Sequence, residues 1–124
     1  MILAPCAWSE EVERSIKRVK DKTGDRWTVP FVLARIQAGL AGLFELRDKK
    51  HIGYVVLERY EQGEAPWMNV WILEGDGLEH AQEVLPLLDQ KCKEIGCVAW
   101  RCTGRKGWAK FLRPIATVYE RELL

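Results

Sequence analysis

The sequence predicts an α/β fold, a mixed sheet with helices on both faces. Three features lead there. Residues 68–73 (M-N-V-W-I-L) form an almost wholly apolar run, broken by the loop 74–77. Leu78, Ala81, Leu85, Leu88, Cys92 and Ile95 then recur at steps of three and four, the stripe of an amphipathic helix, and residues 97–102 (C-V-A-W-R-C) form a second apolar run. A strand, helix and strand of this length imply a parallel pair joined by a right-handed crossover. Ligands in such units sit at the carboxyl ends of the strands, here 74–78 and 102–105. The other two features are a pair of helical patterns at the amino end and three successive strand-like runs between residues 41 and 73.

Taken in order, residues 2–4 suit a short edge strand stopped at Pro5. Ser9 can cap a first helix, with Glu10, Glu11 and Glu13 at its positive end. Val12, Ile16 and Val19 give its buried stripe, and Thr23-Gly24 ends it. Thr28 can cap a second helix with Pro30 in its first turn. Phe31, Val32, Leu33 and Ile36 carry its apolar side, and Gly39 ends it. The meander follows: strand 41–47, turn 48–50, strand 51–60, a long loop 61–66, and strand 67–73. Pro86 lies inside the next helix, where it favours a kink or a later start, and Gly96 closes that helix. After the strand at 97–102, residues 105–112 suggest a short helix with Trp108 and Phe111 or Leu112 inward. Pro114 blocks its continuation, and 115–124 reads as a closing edge strand.

Composition narrows the function classes. A chain of 124 residues predicts one domain, 1–124, and 48% hydrophobic residues are enough for a sizeable core. A net charge of +1 gives little drive toward nucleic acid or an acidic membrane surface. Cys6, Cys92, Cys97 and Cys102 make no C-x-x-C pair and no His lies at finger spacing, so no metal site is expected. Free thiols, no signal-like start and no run of membrane length predict a soluble cytoplasmic protein. Six Trp is a high count for this length. Core filling is the simpler role for most, including Trp67 and Trp71, although Trp is also enriched at binding surfaces.

The predicted order is β-α-α-β-β-β-α-β-α-β. With the glycines of E-G-D-G-L-E after the third meander strand, it resembles the GNAT (Gcn5-related N-acetyltransferase) superfamily. At its end, G-R-K-G-W-A-K-F-L-R-P before a terminal strand looks like the small GNAT-like proteins of tailed phages and prophages. The resemblance implies a mixed twisted sheet with helices on both faces and a splayed parallel strand pair, with acetyl-CoA in the splay. Pantetheine would lie along Val70, Ile72 and Leu73, and the pyrophosphate on the amides of Gly75, Gly77 and Leu78 at the following helix start. Lys106 falls where the family has an Asn, Arg113 where it has a catalytic Tyr, and Ala109 matches. Glu74 stands where the family motif Q/R-x-x-G-x-G/A begins, Glu79 where it ends, and Asp76 adds a third acid. At an effective dielectric of about 20, each like-charge contact near 4 Å costs on the order of 4 kcal/mol before screening. These departures imply a weakened acetyl-CoA site.

Two functions follow from the resemblance. One is a degenerate acetyltransferase-like protein that binds a host or virion protein. The other is an active N-acetyltransferase acting on a small-molecule or protein amine. For the second, Glu45 and Glu58 on the meander strands are the candidate bases. Arg101, Arg105, Trp108, Lys110 and Arg113 form a candidate anion or partner patch near the carboxyl end. Cys102 and His80 could meet as a nucleophilic couple, though a buried thiol and a solvated helix-start His are the simpler reading.

Overall fold

A computed structural model describes residues 1–75, 79–103, 112–114 and 121. The elements run β1 (Ile2–Pro5), α1 (Glu10–Thr23), α2 (Val29–Gln37), β2 (Ala41–Asp48), β3 (Lys50–Gln62), β4 (Ala65–Gly75), α3 (Ala81–Glu94) and β5 (Ala99–Cys102). The strands lie in sequence order in one sheet. Pairing is antiparallel from β1 to β4 and parallel between β4 and β5. This is the mixed α/β sheet that the strand–helix–strand pattern predicts. The expected helix at 105–112 and the closing strand at 115–124 lie almost wholly outside the described residues.

Local chemistry sets the helix ends. Ser9 Oγ accepts from the Val12 N–H at 3.2 Å, and Thr28 Oγ1 accepts from the Phe31 N–H at 3.2 Å. Each satisfies an N–H that has no partner within its own helix. Gly24 stops α1 in the left-handed region at φ 68°. α3 starts at Ala81, later than a stripe beginning at Leu78 implies, and it takes up Pro86 in its interior on an exposed position. Its buried positions are Ala81, Val84, Leu88 and Cys92, so Val84 joins the expected stripe and Leu85 is only half-buried.

The meander is longer and tighter than its sequence suggests. No long loop separates β3 from β4. The strands pair to Gln62↔Ala65 and turn on Gly63-Glu64 alone. Gly63 has φ 64°, at the first of two loop residues, where such a hairpin favours glycine. The fifth strand is also less covered than its apolar sequence implies. Ala99, Trp100 and Cys102 are half-buried, Arg101 is exposed, and Cys97 and Val98 precede the strand. Phe31, expected on the inner side of α2, is 51% exposed, because Val32 takes the buried position.

The sheet divides the core into two layers. On one side, Leu46, Ile52, Val55, Leu57, Met68 and Val70 pack against Val84, Leu88 and Cys92 of α3. On the other, Ala41, Leu43, Tyr54, Val56 and Ile72 pack against Val12, Ile16 and Val32 of α1 and α2. Burial of these side chains supplies the main driving force for this architecture.

Candidate functional site

The feature that organises the site is a fork between β4 and β5. Parallel pairing runs from Trp67↔Ala99 to Val70↔Cys102 and stops, while β4 continues to Gly75. Among the described residues, no strand pairs with the β5-facing side of β4 from Trp71 onward. Its main-chain groups there have hydrogen-bonding capacity free of a strand partner.

A bulge sits where the fork opens. Val56 pairs with Ile72 and Leu57 with Val70, so Trp71 is an extra residue in β4. The consequence is a change of face. Met68 and Val70 belong to the α3 layer, whereas Ile72 belongs to the α1/α2 layer. Without the bulge, Val70 and Ile72 would share a face. Trp71 and Ile72 therefore lie on the same side, and Trp71 packs beside the α1/α2 layer at the mouth of the fork.

Trp71 is ringed by aromatic side chains. Trp27, from the α1–α2 connection, meets it edge-on with centroids 6.2 Å apart, and Phe31 meets it edge-on at 6.1 Å. Both are favourable aromatic geometries. Trp27 Nε1 donates to Asp25 Oδ2 at 3.2 Å.

Just below the bulge lies a polar row. Glu58 pairs across the sheet with Asn69, and Asn69 with Arg101. Glu58 Oε1 accepts from Asn69 Nδ2 at 2.9 Å. Its other oxygen accepts from Arg35 Nε at 3.2 Å and lies 3.1 Å from Arg35 Nη2. Arg101 lies 4.9 Å from the Tyr60 ring centroid, a cation–π contact.

The far end of β4 carries an unexpected ion pair. Glu74 is largely buried and its carboxylate lies 3.2 Å from Arg18 Nη2 on α1. Its charge is therefore compensated; of the other two acids expected to oppose an anion at this loop, Glu79 is exposed and Asp76 lies outside the described residues. Gly75 also has a structural cause. It sits at φ 103° opposite Gly53, and a Cβ on either residue would collide with the backbone of the other strand.

No family model matches the chain, and no curated protein is similar to it at a significant level. Solved structures do share the shape. A probable acetyltransferase superposes with a TM-score of 0.69 at 11% identity, covering 100% of this chain and 97% of its own. Glucosamine-6-phosphate N-acetyltransferase from Arabidopsis thaliana gives 0.66 at 11%, covering 97% and 96%. An aminoglycoside acetyltransferase from an uncultured soil metagenomic sample, solved with sisomicin, gives 0.60 at 16%, covering 93% and 88%. The chain has a GNAT-like fold.

Within this GNAT-like frame the candidate residues separate. Val70, Ile72, Leu73 and Gly75 lie on β4 along the fork. Glu58 stands in the row beneath its mouth. Glu45 does not join them. It lies two strands from the fork, opposite Ala4 and Tyr54. There it is 2.6 Å from His51 Nδ1 and accepts from Arg47 Nη1 at 3.3 Å. Gly77, Leu78, Lys106, Arg105, Trp108 and Lys110 lie outside the described residues, and Arg113 is exposed. His80 Nδ1 lies 3.9 Å from Glu83 Oε2, and burial pushes the Cys102 thiol up, away from the thiolate a nucleophile needs.

Among the described residues, no group of three His, Cys, Asp or Glu side chains is placed to hold a metal ion. Among them, no helix is long and apolar enough to cross a membrane. A groove of about 300 Å³ lies beside the polar row, lined among others by Leu40, Phe44, Leu57, Glu58, Lys91 and Ile95. Its lining is mainly apolar, and it shares Glu58 with the polar row beneath the fork. Sequence reading named Glu58 but missed Arg35, Asn69, Trp27 and Phe31 as its surroundings. Their links span 11 to 23 positions in sequence for the polar groups, and no local pattern marks them.

Proposed function

We propose that the protein is an N-acetyltransferase that moves an acetyl group from acetyl-CoA to an amine. The observation that carries this reading is the fork, where β4 runs on without a β5 partner past the bulge at Trp71. An extended pantetheine arm matches such an edge, because it carries amides that can continue the strand pairing. Acetyl-CoA would supply the activated thioester. Val70, Ile72 and Leu73 would hold the arm, and Gly75, Gly77 and Leu78 the pyrophosphate. The Arg18–Glu74 pair supports the fit, since it leaves less uncompensated negative charge beside the pyrophosphate.

Glu58 is the proposed base. It lies one residue pair below the mouth of the fork, and Asn69 and Arg35 hold both its oxygens in place. An incoming ammonium would replace the Asn69 contact at Oε1, hand its proton to the carboxylate and leave a neutral amine facing the thioester. Main-chain N–H groups of β4 would stabilise the charge that develops on the thioester oxygen.

A second reading keeps one specific observation in its favour. Both candidate bases are fully engaged, Glu58 by Arg35 and Asn69, and Glu45 by His51 and Arg47. That suits a phage- or prophage-type scaffold with a degenerate loop that binds a host or virion protein through Arg101, Arg105, Trp108, Lys110 and Arg113.

Calorimetric titration with acetyl-CoA and with CoA separates the two. The transferase reading expects micromolar binding that Gly77→Asp abolishes while the fold survives. Absence of heat and of any thermal shift at millimolar ligand would remove it.

A further inference from the structure

The α1/α2 side of the fork carries more than a base. Trp71 is met edge-on by Trp27 and Phe31, and Phe31 is 51% exposed. The Arg35 guanidinium lies 5.9 Å from the Phe31 centroid and 6.0 Å from that of Trp71. Arg35 also compensates Glu58, whose remaining oxygen is taken by Asn69. Asp25, on the outer rim, holds the Trp27 indole N–H. Arg101 is exposed at the other end of the polar row, over Tyr60. Two strand spacings put its Cα about 10 Å from that of Glu58.

This lining selects among amines. It offers three aromatic rings, one compensated ion pair, one amide and a further guanidinium. A polyamine or a polycationic amino sugar needs several carboxylates to meet its charges. Here Glu58 and Arg35 neutralise each other, and the Arg101 guanidinium at the other end of the row repels further cations. An amine attached to a flat ring needs only one polar contact, and its ring can stack or sit edge-on against Trp71 and Phe31.

We propose that the acetyl acceptor is an arylalkylamine or arylamine, with its ring against Trp71 and Phe31 and its nitrogen at Glu58. This rests on the transferase reading. The reaction balances simply. Glu58 takes one proton from the ammonium, the neutral nitrogen forms a bond to the acetyl carbon, the carbon–sulfur bond breaks, and the second proton lost by nitrogen passes to the leaving thiolate.

The test is calorimetry of the full chain, first with CoA alone and then, at saturating CoA, with phenethylamine, spermidine and glucosamine 6-phosphate as probes. Phenethylamine is expected to bind best. Phe31→Ala should weaken it roughly tenfold, as for loss of one aromatic contact and its buried area, with CoA binding unchanged. Phe31→Tyr, which keeps the ring, should restore it. Spermidine or the amino sugar binding as well as phenethylamine would overturn the assignment, as would a Phe31→Ala variant with unchanged affinity. A protein that takes up CoA but not phenethylamine sinks the acceptor alone. One that takes up neither sinks the transferase reading and the acceptor with it.

Discussion

Under α3, the sheet is covered by Leu46, Ile52, Val55, Leu57, Met68 and Val70, with Val84 and Leu88 above them. Under α1 and α2 the layer begins alike, with Val12, Ile16, Val32, Leu43 and Val56, but it changes toward the fork. There it becomes aromatic and charged: Trp27, Phe31 and Trp71, then Arg35, Glu58 and Asn69. Further along the same side, Tyr54 donates to Glu11 Oε2 at 3.4 Å. The same backbone thus supports a hydrocarbon layer on one face and the candidate site on the other. The α3 face gives rigidity, and the α1/α2 face spends part of its burial on groups that can meet a ligand.

The largest expected effect tests that division directly. Leu88 is fully buried in the α3 layer, and Leu88→Ala should cost about 2–5 kcal/mol through lost burial and the cavity left behind. Phe31 is as apolar but half exposed, and Phe31→Ala should cost less than about 1 kcal/mol. Urea unfolding of both variants measures the contrast. Equal losses would mean that Phe31 is a core residue and that the two faces do the same work.

Much of this contrast was not readable in advance. Helix caps at Ser9, Gly24 and Thr28 are local chemistry, and each stands where the sequence puts it. The parallel pair follows from the strand–helix–strand pattern around Leu88. The bulge has no such signature. Residues 68–73 are almost wholly apolar on both faces, so moving Ile72 from the face of Val70 to that of Trp71 changes nothing in the pattern. The hairpin at Gly63-Glu64 was hidden because Glu61, Gln62, Glu64 and Pro66 all read as loop. Charge reading failed at Glu74 for a different reason. Its partner Arg18 lies 56 positions earlier, on what reads as the solvated face of a helix. Glu58 was legible as a strand carboxylate, but its partners come from two other elements.

A smaller effect separates the faces by pH. Burial is the leading cause that pushes the Cys92 thiol up on the α3 side, with Cys97 and Asp89 adding to it and Lys93 opposing. On the other side, burial and then Glu11 push the Tyr54 hydroxyl up. In both cases the folded chain holds its proton longer than the unfolded chain does. Stability from these groups is complete below their unfolded values, about 8.5 for Cys and about 10 for Tyr, and is lost as pH rises through the folded values. Thermal unfolding should therefore show Tm falling above about pH 9. Cys92→Ala should flatten the earlier part of that fall and Tyr54→Phe the later part. A Tm that is level to pH 11 in the parent would contradict the burial of both groups.

The smallest effect concerns a single hydroxyl. Ser15 is fully buried on the inner face of α1 between Val12 and Ile16, and its Oγ has no hydrogen-bond partner among the described residues. An unpaired buried hydroxyl has lost its water without replacement, and serine is a poorer helix former than alanine. Ser15→Ala removes both costs while keeping the Cβ contacts. It should leave stability unchanged or raise it by about 1 kcal/mol. The same urea series measures it. A loss of more than about 1 kcal/mol would show that Oγ is bonded in solution. The polar character of the α1/α2 face would then extend beneath α1 itself, beyond the rim of the fork, and the line between the apolar layer and the site would have to be redrawn.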